Sequence, residues 1–322
     1  MPTTPARARK WIKSGRATPF WKKGLFCVRL NVEPSSREIQ DVAVGIDPGS
    51  KKEAFTVKSE LHTYVSIQTD AVTWVKDKLE SRRNLRRGRR FRKTPCRQNK
   101  MNRSRGGIPP STKARWGLKL RISEWLWRIC PVSCFVVEDV KAKTIKGARR
   151  WNVNFSPLEV GKRWFYEELR KLARVELREG WQTAEYRTAF GFPKLKNKMS
   201  NEFLAHRIDS WVLANDWVGG HTEVDNFHSI ILSPINLYRR QLHVMNFAKG
   251  GIRKTYGSTR SLGFKRGSLV RHTKFGLTMI GGTTKGRVSL REVCYGKRLC
   301  QNAKVGNIKF LSYYPWNYYH YP

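Results

Sequence analysis

The stretch Asp41-Val-Ala-Val-Gly-Ile-Asp47 constrains this chain more than any other. It is short, apolar and β-branched, and Pro48-Gly49 stops it, so it reads as a buried strand that ends on a carboxylate. A lone carboxylate in such a strand is costly unless it is paired or ligated. Two other segments share the problem. Phe135-Val-Val-Glu-Asp-Val140 is a second apolar strand with acids in it. Asp209 lies on the apolar helix expected over 201–218, three residues after His206 and so on the same face.

Acids are scarce here, which makes each one placed among apolar neighbours informative. The chain has 24 Asp plus Glu against 64 Lys plus Arg, a formal net charge of +40 on 322 residues. Each acid also has a plainer reading. Asp47 suits a turn before Pro-Gly, Glu138 suits an ion pair with one of many arginines, and His206 suits a packed helix histidine. Asp139 lies on the opposite strand face from Glu138, and periodicity does not choose between them. The combination is more specific than its members. Three acids on two strands and a late helix would repel each other on converging unless cations sat between them. Two Mg²⁺ ions, with Mn²⁺ as a substitute, are the usual solution for phosphodiester hydrolysis.

The charge itself points to a polyanionic partner. Self-repulsion opposes the compact state, and each phosphate neutralised releases counterions. A passive ribosomal-type or chromatin-type binder satisfies the charge as well as an enzyme does. No apolar run of about 18 residues and no signal-peptide pattern is present, so a membrane partner is not expected. Cysteines stand at 27, 96, 130, 134, 294 and 300 with no C-x-x-C pair, which argues against zinc. Reduced, mostly buried thiols in a cytosol are the expectation.

Length suggests about two domains. Strands are expected over 41–47, 53–57 and 63–68, then a basic run, a helix over 113–129, a strand over 134–140, a helix over 157–172 capped by Ser156, a short strand over 175–177 and the helix over 201–218. A three-strand meander followed by helix-linked parallel strands is an α/β fold of RNase H type. From about Asp225 the texture changes to short Gly-bounded strands over 268–272, 277–281, 287–292 and 298–305, a small β-rich, barrel-like domain.

Several motifs now carry a resemblance. Val44-Gly-Ile-Asp-Pro-Gly-Ser50, Val136-Val-Glu-Asp-Val140 and His206-Arg-Ile-Asp-Ser210 resemble the three RuvC motifs. Met1-Pro-Thr-Thr-Pro-Ala-Arg-Ala-Arg9 resembles the PLMP segment of the transposon-encoded IscB/IsrB proteins, and Arg86-Arg-Gly-Arg-Arg90 their RRXRR signature. Gly263-Phe-Lys-Arg-Gly-Ser-Leu-Val270 resembles the start of their C-terminal domain. The resemblance runs over essentially the whole chain. It implies a RuvC core with an inserted bridge helix, divided as a PLMP-like segment (1–40), RuvC part I (41–80), an Arg-rich bridge helix (81–107), RuvC parts II and III (108–222) and a domain that reads a target-adjacent motif (223–322). It further implies an RNA-guided, Mg²⁺-dependent DNA endonuclease working with an omega RNA on double-stranded DNA. By this resemblance the particle is a cytoplasmic, prokaryotic, monomeric ribonucleoprotein, nucleoid-associated when acting. Asp47, Glu138 and Asp209 would ligate metal, and His206 would assist at the leaving group or at one metal.

Two departures qualify the match. An HNH nuclease normally lies between the second and third RuvC motifs, but the 67 residues between Glu138 and His206 contain no His or Cys. An HNH site needs a His general base. The chain therefore resembles the HNH-lacking IsrB branch, and one active centre implies a nick, in the displaced non-target strand. The PLMP segment also starts at the first Met, so its edge strand is expected to be incomplete. The alternatives are a guide-independent nuclease of the Holliday-junction resolvase kind, or an inactive nucleic-acid binder.

The run from Arg82 to Arg105 holds 12 Lys/Arg and no Asp or Glu in 24 residues. A solvated tail is one reading. The bridge-helix reading places Arg82, Arg83, Arg86, Arg87, Arg89, Arg90, Arg92, Arg97, Arg103 and Arg105 along a nucleic-acid backbone, with Leu85 and Phe91 as anchors. Guide pairing would then carry sequence specificity. Lys265, Arg266, Arg271 and Lys274 are candidate contacts of the C-terminal domain. The aromatic tail, 310–322, either stacks bases or docks on that domain.

Overall fold

The computed structural model describes residues 3–33, 39–93, 108–142, 156–195, 197, 199–220, 223–235, 245–246, 251–252 and 260–321. The chain divides into two compact units, Met1–Arg37 with Ile230–His320, and Glu38–Ser229 with Tyr321–Pro322. The first elements are a helix, α1 (Pro5–Lys13), and a hairpin of β1 (Ala17–Lys22) and β2 (Leu25–Leu30). Thr4 caps α1, its hydroxyl accepting from Arg7 N–H at 3.3 Å, and Pro5 opens it. The hairpin turns at Lys23-Gly24, both at positive φ (51° and 93°), the backbone that matches strand twist in a two-residue turn.

The larger unit opens with an antiparallel meander of β3 (Val42–Asp47), β4 (Lys52–Ser59) and β5 (Thr63–Asp70). Helices α2 (Val75–Phe91) and α3 (Pro110–Ile129) follow, then β6 (Cys134–Asp139), which runs parallel beside β3. Next come α4 (Pro157–Arg170), β7 (Arg174–Glu179) parallel to β6, α5 (Gly180–Ala189), a π-turn at Phe203–Arg207 and α6 (Ile208–Val218). Within this unit the strand order is β5-β4-β3-β6-β7. That order, with the first three strands antiparallel and the last two parallel to β3, is the RNase H-like arrangement expected from the sequence.

Strand alternation sorts the residues onto two faces. Ala43 of β3 and Cys134 and Val136 of β6 pack with Leu213 and Ala214 of α6. Thr56 of β4 shares a 2.7 Å hydrogen bond with Ser210 of α6. The other face meets α3 and α4, whose Trp116 and Phe165 rings lie 5.4 Å apart. Ser156 caps α4 as expected, accepting from Glu159 N–H at 3.1 Å.

Four expectations need correction. Helix α2 starts at Val75, ahead of the basic run, because Val75 is its buried anchor. Leu85 and Phe91, expected to anchor it, are 67% and 89% exposed. The helix over 201–218 is regular only from Ile208, the preceding turn being π-helical. Among the described cysteines only Cys134 is buried; Cys27, Cys130, Cys294 and Cys300 are half-buried, and all five are free thiols. Helix α5 has no counterpart in the sequence reading. Its start, Gly-Trp-Gln, looks like a loop, but Glu179 and Gln182 form a reciprocal capping box.

The C-terminal stretch begins with β8 (Ser229–Pro234) and two short pairs, β9 (Met245–Asn246) with β10 (Gly251–Ile252), and β11 (Arg260–Ser261) with β12 (Phe264–Lys265). The expected β domain is an antiparallel sheet of β13 (Ser268–His272), β14 (Gly276–Thr284), β15 (Arg287–Arg291), β16 (Arg298–Ala303) and β17 (Ile308–Tyr313), ordered β16-β15-β14-β13-β17. Strand β18 (Trp316–Tyr321) pairs with β8. The aromatic tail is thus built into strands, and Trp316 is fully buried. The N-terminal hairpin docks on this unit through Gly24 N–H, which donates to Ser312 Oγ at 2.8 Å. Among the described residues no helix is long and apolar enough to cross a membrane.

Candidate active site

Three elements deliver three carboxylates to one place. In the parallel β3–β6 register Ile46 faces Val137, so the next residues, Asp47 and Glu138, leave the sheet side by side at its C-terminal edge. Helix α6 brings the third. It can do so because Gly45 has no side chain: a Cβ there would lie 1.9 Å from the Ser210 carbonyl oxygen. Gly180 makes room for Glu138 in the same way, since a Cβ there would lie 2.9 Å from Glu138 Oε1. Asp139 points to the other face, where it accepts from Tyr166 O–H at 2.9 Å and pairs with Lys162 at 2.7 Å. That contact decides between the neighbouring acids: Glu138 faces the site.

Asp47, Glu138, His206 and Asp209 line a cavity of about 960 Å³, together with Glu53, Lys119, Arg115 and Lys194. Burial, reinforced by the charges of Asp47 and Asp209, pushes the Glu138 carboxyl up to about 7. Burial and Asp47 also hold the Asp209 carboxyl above the ordinary range, against Arg187 and Lys194. Asp209 is paired with Arg187, and both are buried; Lys194 Nζ stands 3.9 Å away. His206 Nδ1 lies 3.5 Å from Asp47 Oδ2. His206 reaches the cavity from the π-turn, so the shared face expected from helical spacing is achieved through a wider turn.

A second buried pair forms the wall on the α3 side. Lys119 Nζ donates to Glu53 Oε1 at 2.6 Å, with side chains 7% and 1% exposed. Glu53 Oε2 has no partner among the described residues, and burial raises this carboxyl as well. Glu53, Lys119, Arg187 and Lys194 were not among the residues singled out by sequence. Lys119 carried a signal, a charge amid the apolar positions of an expected helix. Arg187 carried none, since its helix was not foreseen.

The donor set of carboxylate oxygens suits a hard divalent cation such as Mg²⁺. The elevation of the Glu138 and Asp209 carboxyls by burial and by the Asp47 charge is the electrostatic demand such a cation meets. Among the described residues, no three His, Cys, Asp or Glu side chains are already gathered into a coordination cluster; Arg187 holds Asp209 and His206 lies beside Asp47.

The basic candidates fall in two places. On α2, Arg82, Arg83, Arg86, Arg87 and Arg90 are exposed, as is Arg92 just after it, while Arg89 is half-buried. Arg97, Arg103 and Arg105 lie outside the described residues. Lys265, Arg266, Arg271 and Lys274 belong to the other unit. Lys265 Nζ sits 5.2 Å over the Tyr313 ring, Lys274 Nζ 5.8 Å over Phe275, and Arg271 is exposed on β13.

The strand order is that of an RNase H-like fold of the RuvC type, with an acid-lined cavity at the edge of β3 and β6. Residues 1–151 match the family described as RRXRR protein, the family that Arg86-Arg-Gly-Arg-Arg90 led us to expect. Three solved structures are similar at low identity. They are T. thermophilus RuvC in complex with Holliday junction substrate (14% identity, 56% of this chain and 96% of that one, TM-score 0.31), the yeast mitochondrial Holliday junction resolvase Ydc2 (13%, 57% and 80%, 0.29), and a CRISPR-Cas12f ternary complex (14%, 67% and 49%, 0.31). No curated protein matches the chain.

Proposed function

We propose that this chain is an RNA-guided DNA endonuclease that depends on a divalent metal and nicks one strand. The observation that carries the reading is the convergence of Asp47, Glu138 and Asp209 on one cavity in a chain of net charge +40. These three would hold Mg²⁺, which supplies Lewis-acid stabilisation of the phosphoryl oxygens. The protein's own groups do the rest. His206 stands where it orients Asp47. Lys51, Lys76 and Arg115 in the cavity lining attract a phosphodiester backbone. The exposed arginines of α2 offer forked donors to the phosphates of a structured RNA. The stretch between Glu138 and His206 holds no His, so no HNH centre lies there and a single centre supports a single-strand cut. In this reading the RNA is an omega RNA carrying guide and scaffold, the DNA strand cut is the displaced one, and Lys265, Arg266, Arg271 and Lys274 contact the target-adjacent duplex.

The test is a nicking assay with the RNA that copurifies, MgCl₂ and a matched supercoiled duplex. One strand is cut by the wild type, and Asp47→Ala binds without cutting. Cutting that persists in Asp47→Ala refutes the site. Cleavage of a four-way junction without RNA replaces guidance by a resolvase activity.

A further inference from the structure

The carboxylates of the cavity are not compensated evenly. Four carboxylates line it: Asp47, Glu53, Glu138 and Asp209. Two have buried cationic partners. Lys119 holds Glu53 at 2.6 Å, and Arg187 holds Asp209, with both side chains under a tenth exposed. Lys194, 3.9 Å from Asp209, is 60% exposed and its charge is screened by solvent. Among the described residues Asp47 is ion-paired with His206, at 3.5 Å. Glu138 has no ion pair among the described residues, and its nearest compensating charges, Lys194 and Arg187, are those already placed on Asp209. Among the described residues Asp47 and Glu138 are therefore the lining acids without a buried Lys or Arg partner, in a setting where charge is costly. A divalent cation can sit on these two, whereas a second one, on Asp209, would face the Arg187 guanidinium.

We propose that Arg187 is a resident counter-ion of Asp209, so that the site at rest takes one divalent cation, on Asp47 and Glu138, and a second only after Arg187 has left Asp209. The inference rests on the metal-dependent reading above. Arg187 is suited to this role. It is set in the last turn of α5, and it carries a planar guanidinium fork that matches a carboxylate. Breaking a buried pair by removing one partner is strongly unfavourable, so Arg187 does not leave unless another anion takes it and another cation takes Asp209. A substrate phosphate is that anion, because a guanidinium fork fits phosphate as well as carboxylate. Full loading of the site is thereby tied to the arrival of a backbone.

The experiment counts ions. The full chain, freed of nucleic acid, is titrated with Mn²⁺ alone, and bound metal is obtained from the electron paramagnetic resonance signal of free Mn²⁺. The wild type binds one ion per chain. Arg187→Met binds two, and Arg187→Met/Asp209→Asn returns to one. Two ions in the wild type, or one in a folded Arg187→Met, overturns the proposal while leaving a metal site in place. No ion in any of them refutes the metal-dependent reading itself. Should Arg187→Met not fold, the wild type with a short non-cleavable single-stranded oligonucleotide decides the matter. A rise from one ion to two supports the proposal, and an unchanged count overturns it.

Discussion

Removing the charge of Glu138 should make the metal-free protein more stable, and only at high pH. The carboxyl ionises near 7 in the folded chain, mainly because it is buried and then because Asp47 and Asp209 repel it, against an ordinary value of 4.5. The folded state thus keeps a proton that the unfolded state has lost. Stability is full below about pH 4.5, declines as pH climbs to about 7, and is flat above. At about 1.36 kcal/mol for each tenfold difference in ionisation, the loss is about 3 kcal/mol. Glu138→Gln is neutral throughout and escapes it. In EDTA the variant should match the wild type near pH 4.5 and exceed it at pH 8 by up to about 3 kcal/mol, roughly 6–12 °C in Tm for a unit of this size. Thermal unfolding followed by tryptophan fluorescence across that range measures the gap. Adding Mg²⁺ at pH 8 should raise the Tm of the wild type and leave the variant nearly unmoved. A gap of equal size at both pH values would show that Glu138 carries no buried negative charge, and the electrostatic account of the site would fail.

Other changes test other parts of the structure. Lys119→Met strands Glu53 as an unpaired buried acid and should cost about 3–5 kcal/mol, with Lys119→Met/Glu53→Gln recovering part of it, read by urea denaturation. Gly45→Ala forces α6 off β3 and should destabilise by about 3 kcal/mol, while Gly117→Ala on α3, where a Cβ would meet open space, should not, the two compared by calorimetry. Arg86, Arg87 and Arg90 all changed to Gln should lower the slope of log affinity for RNA against log salt by about 2–3 if each neutralises one phosphate; filter binding at several salt concentrations measures it.

What was legible in the sequence was whatever depends on local pattern. The apolar run ending at Asp47 and the one holding Glu138 had to be strands, and Asp209 had to lie on an apolar helix. What was not legible depends on the partner across space. Alternation places Glu138 and Asp139 on opposite faces but does not name the faces; Tyr166 and Lys162 do. Gly45 reads as one more small residue in a strand until Ser210 is set against it. Helix α5 is begun by side chains that cap each other and not by an apolar period, so Arg187, the partner of Asp209, had no element to be assigned to. Leu85 and Phe91 show the opposite error, apolar residues credited with packing that the fold does not give them.

The way the two units share the chain sets an order of events during synthesis. The hairpin of β1 and β2 is translated early, yet the groups it docks on, Ser312 and Tyr314, lie almost 300 residues later. All of the strands and helices that build the acid-lined cavity are translated in between. A ribosome therefore releases an RNase H-like unit able to close while the first hairpin still lacks its docking surface. Strands made late complete a piece made early, and a fragment ending near residue 230, once released from the ribosome, should already hold the acid-lined cavity with its β1–β2 hairpin unattached.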